Sequence, residues 1–205
     1  KTSLIMFFLI GGSHPTTLKR FGSVLRPKLS TKVGVFSPPM DKNHPGAFGY
    51  KRKFDHHAGV DLYCDMSYIH NPVYAVETGV VVAIENFTGP GDKSPWWNDT
   101  QCVMIEGASG VVNYGEIRPL LDLAIGQRVL RGEEIGIVIP VLKEGKERPD
   151  IPGHSRLMLH MELYEHGTRT PCGVWEHDGE IPKGILDPTQ HLLSARGIET
   201  KILEL

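Results

Sequence analysis

From residue 45 onward, no window of 15 residues carries the three-to-four spacing of an amphipathic helix. Apolar residues come instead in short stretches rich in Val and Ile, with Gly or Pro between them. That pattern specifies strands joined by tight turns, and it predicts an all-β domain: a compact, mostly antiparallel, barrel-like sheet with a groove. Residues 73–84, broken by Gly79, read as one long bent strand or two. Residues 102–105 and 110–117 flank Glu106-Gly107-Ala108-Ser109, a hairpin signal. Val129, Ile135, Ile137 and Ile139, punctuated by Gly132 and Gly136, give another strand pair, and residues 157–164 a further strand. Residues 88–100 and 143–155 read as loops, and 191–197 as a short terminal turn. At 205 residues and 40% apolar content, the chain suits one domain with appendages. The expected division is a basic extension over 1–44, the domain over 45–195 and a tail over 196–205.

Charge separates the extension from the body. Residues 1–40 hold six Lys or Arg and no acid, which leaves 16 basic against 24 acidic groups in the remainder. An acidic body makes a poor partner for nucleic acid, because phosphate contacts need a positive surface. Near the start, residues 4–10 are an unbroken apolar run behind Lys1. It is too short for a membrane span of about 20 residues. A signal remnant and a buried strand or extension are the two readings of this run, and the acid-free, Ser- and Lys/Arg-containing stretch to Lys32 also reads as an organellar transit peptide. Asn86-Phe87-Thr88 and Asn98-Asp99-Thr100 are glycosylation sequons that point to a secreted or cell-envelope location, with organellar import as the alternative. The three cysteines, Cys64, Cys102 and Cys172, are an odd set and allow at most one intrachain disulfide.

Two fragments carry chemistry. The first, His57-Ala58-Gly59-Val60-Asp61, places an imidazole four residues before a carboxylate. In the second, Leu157-Met158-Leu159-His160-Met161-Glu162-Leu163, alternation sends the leucines and Met161 to the core and Met158, His160 and Glu162 to the other, polar side. Imidazole nitrogen and carboxylate oxygen are zinc donors, and two His with one Asp leave the fourth tetrahedral position for water. No Gly-x-Ser-x-Gly elbow, Walker A sequence or Gly-x-Gly-x-x-Gly after a strand offers a competing chemistry.

These fragments and their surroundings resemble the lysostaphin/LytM-type zinc endopeptidases, which cut peptide cross-bridges in bacterial cell walls, and their vertebrate relative, the leukocyte cell-derived chemotaxin. The resemblance runs from about Gly46 to Leu193. It includes Phe48-Gly49-Tyr50-Lys51-Arg52, His57-x-Gly59-Val60-Asp61, the segment from Asn71 to Val81, the segment from Ile125 to Gly136, Leu159-His160-Met161-Glu162-Leu163 and Asp187-Pro188-Thr189. It implies a zinc ion held by His57, Asp61 and His160, and a peptide or peptidoglycan-like substrate or ligand. Two histidines that the family uses on water and on the transition state are replaced. Met158 stands for the first histidine of His-x-His, and Tyr114-Gly115-Glu116-Ile117 stands where the family reads Tyr-x-His-Leu. Cys64 falls where the chemotaxin relative has a disulfide-bonded cysteine.

Glu116 is accordingly the candidate catalytic residue. By strand alternation it shares a face with Tyr114, where it serves as a base or as a fourth ligand; pairing with Arg118 is the bland alternative. The resemblance leaves two functions open: a zinc metallopeptidase with altered catalytic residues, or a catalytically inactive zinc-binding recognition module. Among the other histidines, His56 is an alternative ligand, and His154, His166 and His177 lie in polar stretches and read as solvated. Trp96 and Trp97 read as buried rings rather than as a stacking platform.

Overall fold

The structure, a computed structural model, describes residues 42–63, 71–91, 94–147 and 155–192. The apolar run at residues 4–10, Cys64 and His154 lie outside the described residues. Those described are almost entirely strand and turn, in the order β1 (Asp55–His56), β2 (Val60–Tyr63), β3 (Pro72–Tyr74), β4 (Gly79–Asn86), β5 (Gln101–Gly107), β6 (Val111–Pro119), β7 (Arg128–Val129), β8 (Glu134–Val138), β9 (Met158–Tyr164), β10 (Trp175–Glu176) and β11 (Ile185–Leu186). Residues 189–192 add one helical turn. No helix among them is long and apolar enough to cross a membrane.

Every pairing is antiparallel. One sheet runs β7-β4-β5-β6-β9-β11, and it forks instead of closing into a barrel. Residues 111–115 of β6 pair with β9, then residues 117–119 pair with β8, which in turn carries β3. The far edge of β9 is shared by β2 at one end and β11 at the other. The β5–β6 hairpin closes with the Gly107 N–H donating to the Gly110 carbonyl at 2.9 Å. The stretch over 73–84 resolves into β3 and β4, parted at residues 75–78.

Period-two alternation sorts the core. Leu159, Met161 and Leu163 of β9 join Val112, Tyr114 and Ile117 of β6 in the larger apolar cluster. Full burial of such side chains stabilises by roughly 1.5–3 kcal/mol each. The other face of β9, expected to be polar, is buried as well: all seven strand residues are buried. Tyr164 packs there with Ala83, Met104, Val111 and Ile185 in a second cluster. Burying polar side chains on that face requires that they satisfy one another, and this is where the site lies.

Candidate metal centre

Asp61 and His160 are direct cross-strand partners in the β2–β9 register, so their side chains stand next to each other on one face. His57 reaches the same point from the segment between β1 and β2. Its backbone is tied to the 47–50 turn, with its N–H donating to the Tyr50 carbonyl at 2.9 Å and its carbonyl accepting from the Gly49 N–H at 2.8 Å. Gly59 makes the approach possible. A Cβ there would lie 2.5 Å from the Met161 carbonyl oxygen and 2.7 Å from the His160 ring.

The three donor atoms converge. His57 Nε2 lies 3.1 Å from Asp61 Oδ1 and 3.1 Å from His160 Nδ1, and His160 Nδ1 lies 2.9 Å from Asp61 Oδ1. Outer partners fix which atom faces inward. His57 Nδ1–H donates to the Ala47 carbonyl at 3.0 Å, and His160 Nε2 faces Glu162 Oε1 at 3.3 Å. Asp61 Oδ2 is taken by the Arg52 guanidinium at 3.1 Å. Glu162 is held in turn by Asn113 Nδ2 at 2.6 Å and by the Tyr164 hydroxyl at 2.8 Å. Phe87 lies against His160 at 5.4 Å between ring centres, over Gly115, where a Cβ would meet the Phe87 ring at 2.5 Å.

With their outer nitrogens protonated, neutral His57 and His160 would aim two lone pairs at each other and at a carboxylate oxygen about 3 Å away. Such an arrangement needs a positive charge at its centre, either a proton or a metal ion. The proton solution shows in the electrostatics. Burial alone would lower the His160 pKa, but hydrogen bonds to Asp61 and Glu162 raise it to about 10. Burial lowers that of His57, while Asp61, against its own desolvation, is held well below the usual carboxylate range by its contacts with the His57 and His160 imidazoles and by the Arg52 guanidinium. The metal solution shows in the geometry. Tetrahedral zinc bonded at 2.0–2.1 Å separates its donors by about 3.3 Å, and the three observed separations fall just short of that. His57, Asp61 and His160 therefore fit a metal site, with second partners of the kind that tune such sites.

Glu116 does not share a face with Tyr114. Tyr114 points into the larger core, where its hydroxyl accepts the Val76 N–H at 2.9 Å. Between Tyr114 and Ile117, β6 carries one extra residue relative to β5, and Glu116 takes a left-handed φ of 64°. This bulge turns its side chain away from the core, at the point where β6 leaves β9 for β8. Glu116 comes to line a groove of about 340 Å³ together with Asp61, Met158, Tyr63 and Trp97. It makes no ion pair with Arg118; its Oε2 is buried without a hydrogen-bond partner among the described residues. Desolvation first, then the nearby charge of Asp61, pushes its pKa up to about 8.

No family model matches the chain, and no curated protein does. Among solved structures it is similar to Csd3 of Helicobacter pylori (18% identity, TM-score 0.42, 90% of this chain and 42% of that one). It is also similar to a zinc-containing peptidase from Vibrio cholerae (19%, TM-score 0.41, 71% and 36%) and to CbpA from L. salivarius REN (19%, TM-score 0.45, 80% and 91%). The chain thus spans less than half the length of the first two.

The remaining histidines take other roles. His56 Nδ1 lies 3.2 Å from the Gly49 carbonyl and its ring packs on Trp175 at 5.0 Å, away from the triad. His177 is half-buried rather than solvated, its Nε2 facing the Arg52 and Asp55 carbonyls at 2.8 and 3.0 Å. His166 is exposed beside Glu106. The tryptophans are not buried as expected: Trp96 is 46% exposed, and Trp97 lines the groove. Asn113 supports the site without any motif that marks it, whereas Arg52 ends the stretch Phe48-Gly49-Tyr50-Lys51-Arg52 and Glu162 is legible from its spacing to His160.

Proposed function

We propose that the chain is a zinc metallopeptidase-type domain acting on peptide or peptidoglycan-like cross-bridges, with His57, Asp61 and His160 as the metal ligands and Glu116 as the proton-handling group. The reading rests on one observation: three donor atoms about 3 Å apart, their lone pairs aimed inward by Ala47, Arg52 and Glu162, beside a groove that also holds a carboxyl whose Oε2 has no hydrogen-bond partner among the described residues. Zinc bound there supplies a Lewis acid that polarises a carbonyl and acidifies water. Everything else falls to the protein. Arg52 and Glu162 keep Asp61 and His160 oriented, and Glu116, a carboxyl at the groove beside them, is the group placed to take a proton and return it. The sequons and the substrate class favour a secreted or cell-envelope location.

Met158 supports a second reading, a zinc-binding recognition module. It occupies the groove at a position where the resembling family carries a histidine, and a thioether neither takes nor delivers a proton there. Elemental analysis and release of new amines from peptidoglycan or glycine-rich peptides separate the two. About one zinc per chain with turnover, and a loss of about 100-fold in Glu116→Gln at unchanged zinc content, supports the enzyme. One zinc with an inert wild type supports the module. Absence of zinc, or zinc that survives His160→Ala, rejects both.

A further inference from the structure

The groove's charge runs against that of the body around it. Three bases, Lys51, Arg52 and Lys53, line it against two acids, Asp61 and Glu116, while residues 41–205 as a whole carry 16 basic groups against 24 acidic ones. Arg52 is committed to Asp61. Lys51 and Lys53 are exposed, and among the described residues neither has a carboxylate within salt-bridge distance; Lys53 lies over the Phe54 ring at 4.9 Å. Their backbone is fixed. The Arg52 N–H donates to the Asp55 carbonyl at 2.8 Å, Lys51 bridges to His56, and the His177 ring clasps the Arg52 and Asp55 carbonyls from behind the turn. A clamped turn that presents two ammonium groups, neither paired with a carboxylate among the described residues, at the rim of a groove focuses a positive field there. Trp97, Leu142 and Met158 give the same groove an apolar lining.

We infer that the groove selects an anionic peptide, whose side-chain or terminal carboxylate is held by Lys51 and Lys53 while a neighbouring apolar group packs on Trp97 and Leu142. This inference rests on the reading of the groove as a peptide site, and it names the substrate class that site prefers. It does not require turnover.

Three capped probes test it on the full chain by calorimetric titration: Ac-Ala-Ala-Glu-Ala-Ala-NH2, its Gln counterpart, and the Gln peptide with a free terminal carboxylate. At low salt the Glu peptide, the free-acid peptide or both should bind about fivefold tighter than the neutral one, and the preference should shrink at high salt. Which of the two gains assigns the carboxylate to a side chain or a terminus. In Lys51→Gln/Lys53→Gln the preference should fall below about twofold, with zinc content and thermal unfolding unchanged. Equal binding of all three peptides, no binding of any, or a preference that the double variant keeps overturns the inference. Zinc stoichiometry on the same samples reports separately on the metal reading, so loss of zinc with the peptide preference intact would sink that reading and leave this one standing.

Discussion

His160 is the residue on which the site turns, because its two nitrogens serve different partners. Nε2 faces Glu162 and Nδ1 faces the point shared with His57 and Asp61. In the metal-free protein that point is occupied by the His160 proton, since the folded pKa is raised to about 10. Metal must displace it, so loading at pH 7.5 should release about one proton per ion; titration in buffers of different ionisation enthalpy would show it, and release near zero would refute the arrangement. The sign of the stability effect follows. A histidine whose folded pKa lies above its ordinary 6.5 contributes stability that is fully present below that value and is lost as pH rises towards about 10. Glu116, raised to about 8, adds loss in the same direction, and His57, already neutral there, adds no slope. The metal-free protein should therefore become steadily easier to denature between pH 6.5 and 10 in urea titrations, and the zinc-loaded protein much less so. Glu162→Gln keeps the shape but weakens the pull on Nε2, and should cost 10- to 100-fold in metal affinity by competition with a chelating dye.

Among the elements, β9 and β6 divide what sequence can and cannot tell. The alternation of β9 was readable because a regular strand preserves period two: Leu159, Met161 and Leu163 go to one side, and His160 and Glu162 to the other. What covers the second side was not readable, since Phe87, Asn113 and the Cys172 backbone arrive from distant parts of the chain. β6 breaks the period. Its extra residue at Glu116 has no sequence mark, because glutamate rarely adopts a φ of 64° and nothing local demands it. Alternation therefore placed Glu116 on the face of Tyr114, whereas the bulge turns it to the groove. Gly59 shows the opposite relation, a short motif position with a plain steric cause. Gly59→Ala would set a methyl against the Met161 carbonyl and the His160 ring, contacts at 2.5 and 2.7 Å of which the first is backbone and cannot swing aside. It should lower stability by about 1–3 kcal/mol and weaken metal binding together, read by thermal unfolding and zinc analysis; a variant with wild-type values for both would contradict the geometry.

For the whole molecule, the all-β architecture and its mostly antiparallel pairing were legible from short Val- and Ile-rich stretches, but closure was not. The sheet forks where β6 changes partner, and the groove opens beside that fork, so the departure from a barrel is what provides room for a ligand. Its lining draws on the 45–53 segment, β2, β6, the 97 and 141–142 loops and the start of β9. A metal at the triad would bind only the assembled form. Stripping it with a strong chelator should lower the unfolding midpoint, and excess zinc at 1,000 times its dissociation constant adds about 4 kcal/mol; an unchanged midpoint would mean that the triad is satisfied by its proton alone.

The β2–β9 register has a consequence in time. It joins Val60 to Met161 and Asp61 to His160, partners a hundred residues apart, with most of the sheet strung between them. Closing so long a loop is entropically slow unless the intervening hairpins have shortened it first. The ion would then fasten a seam that the chain stitches last. Contacts absent at the folding barrier act on escape from the native state, so zinc should slow unfolding in stopped-flow measurements and leave the refolding rate nearly untouched.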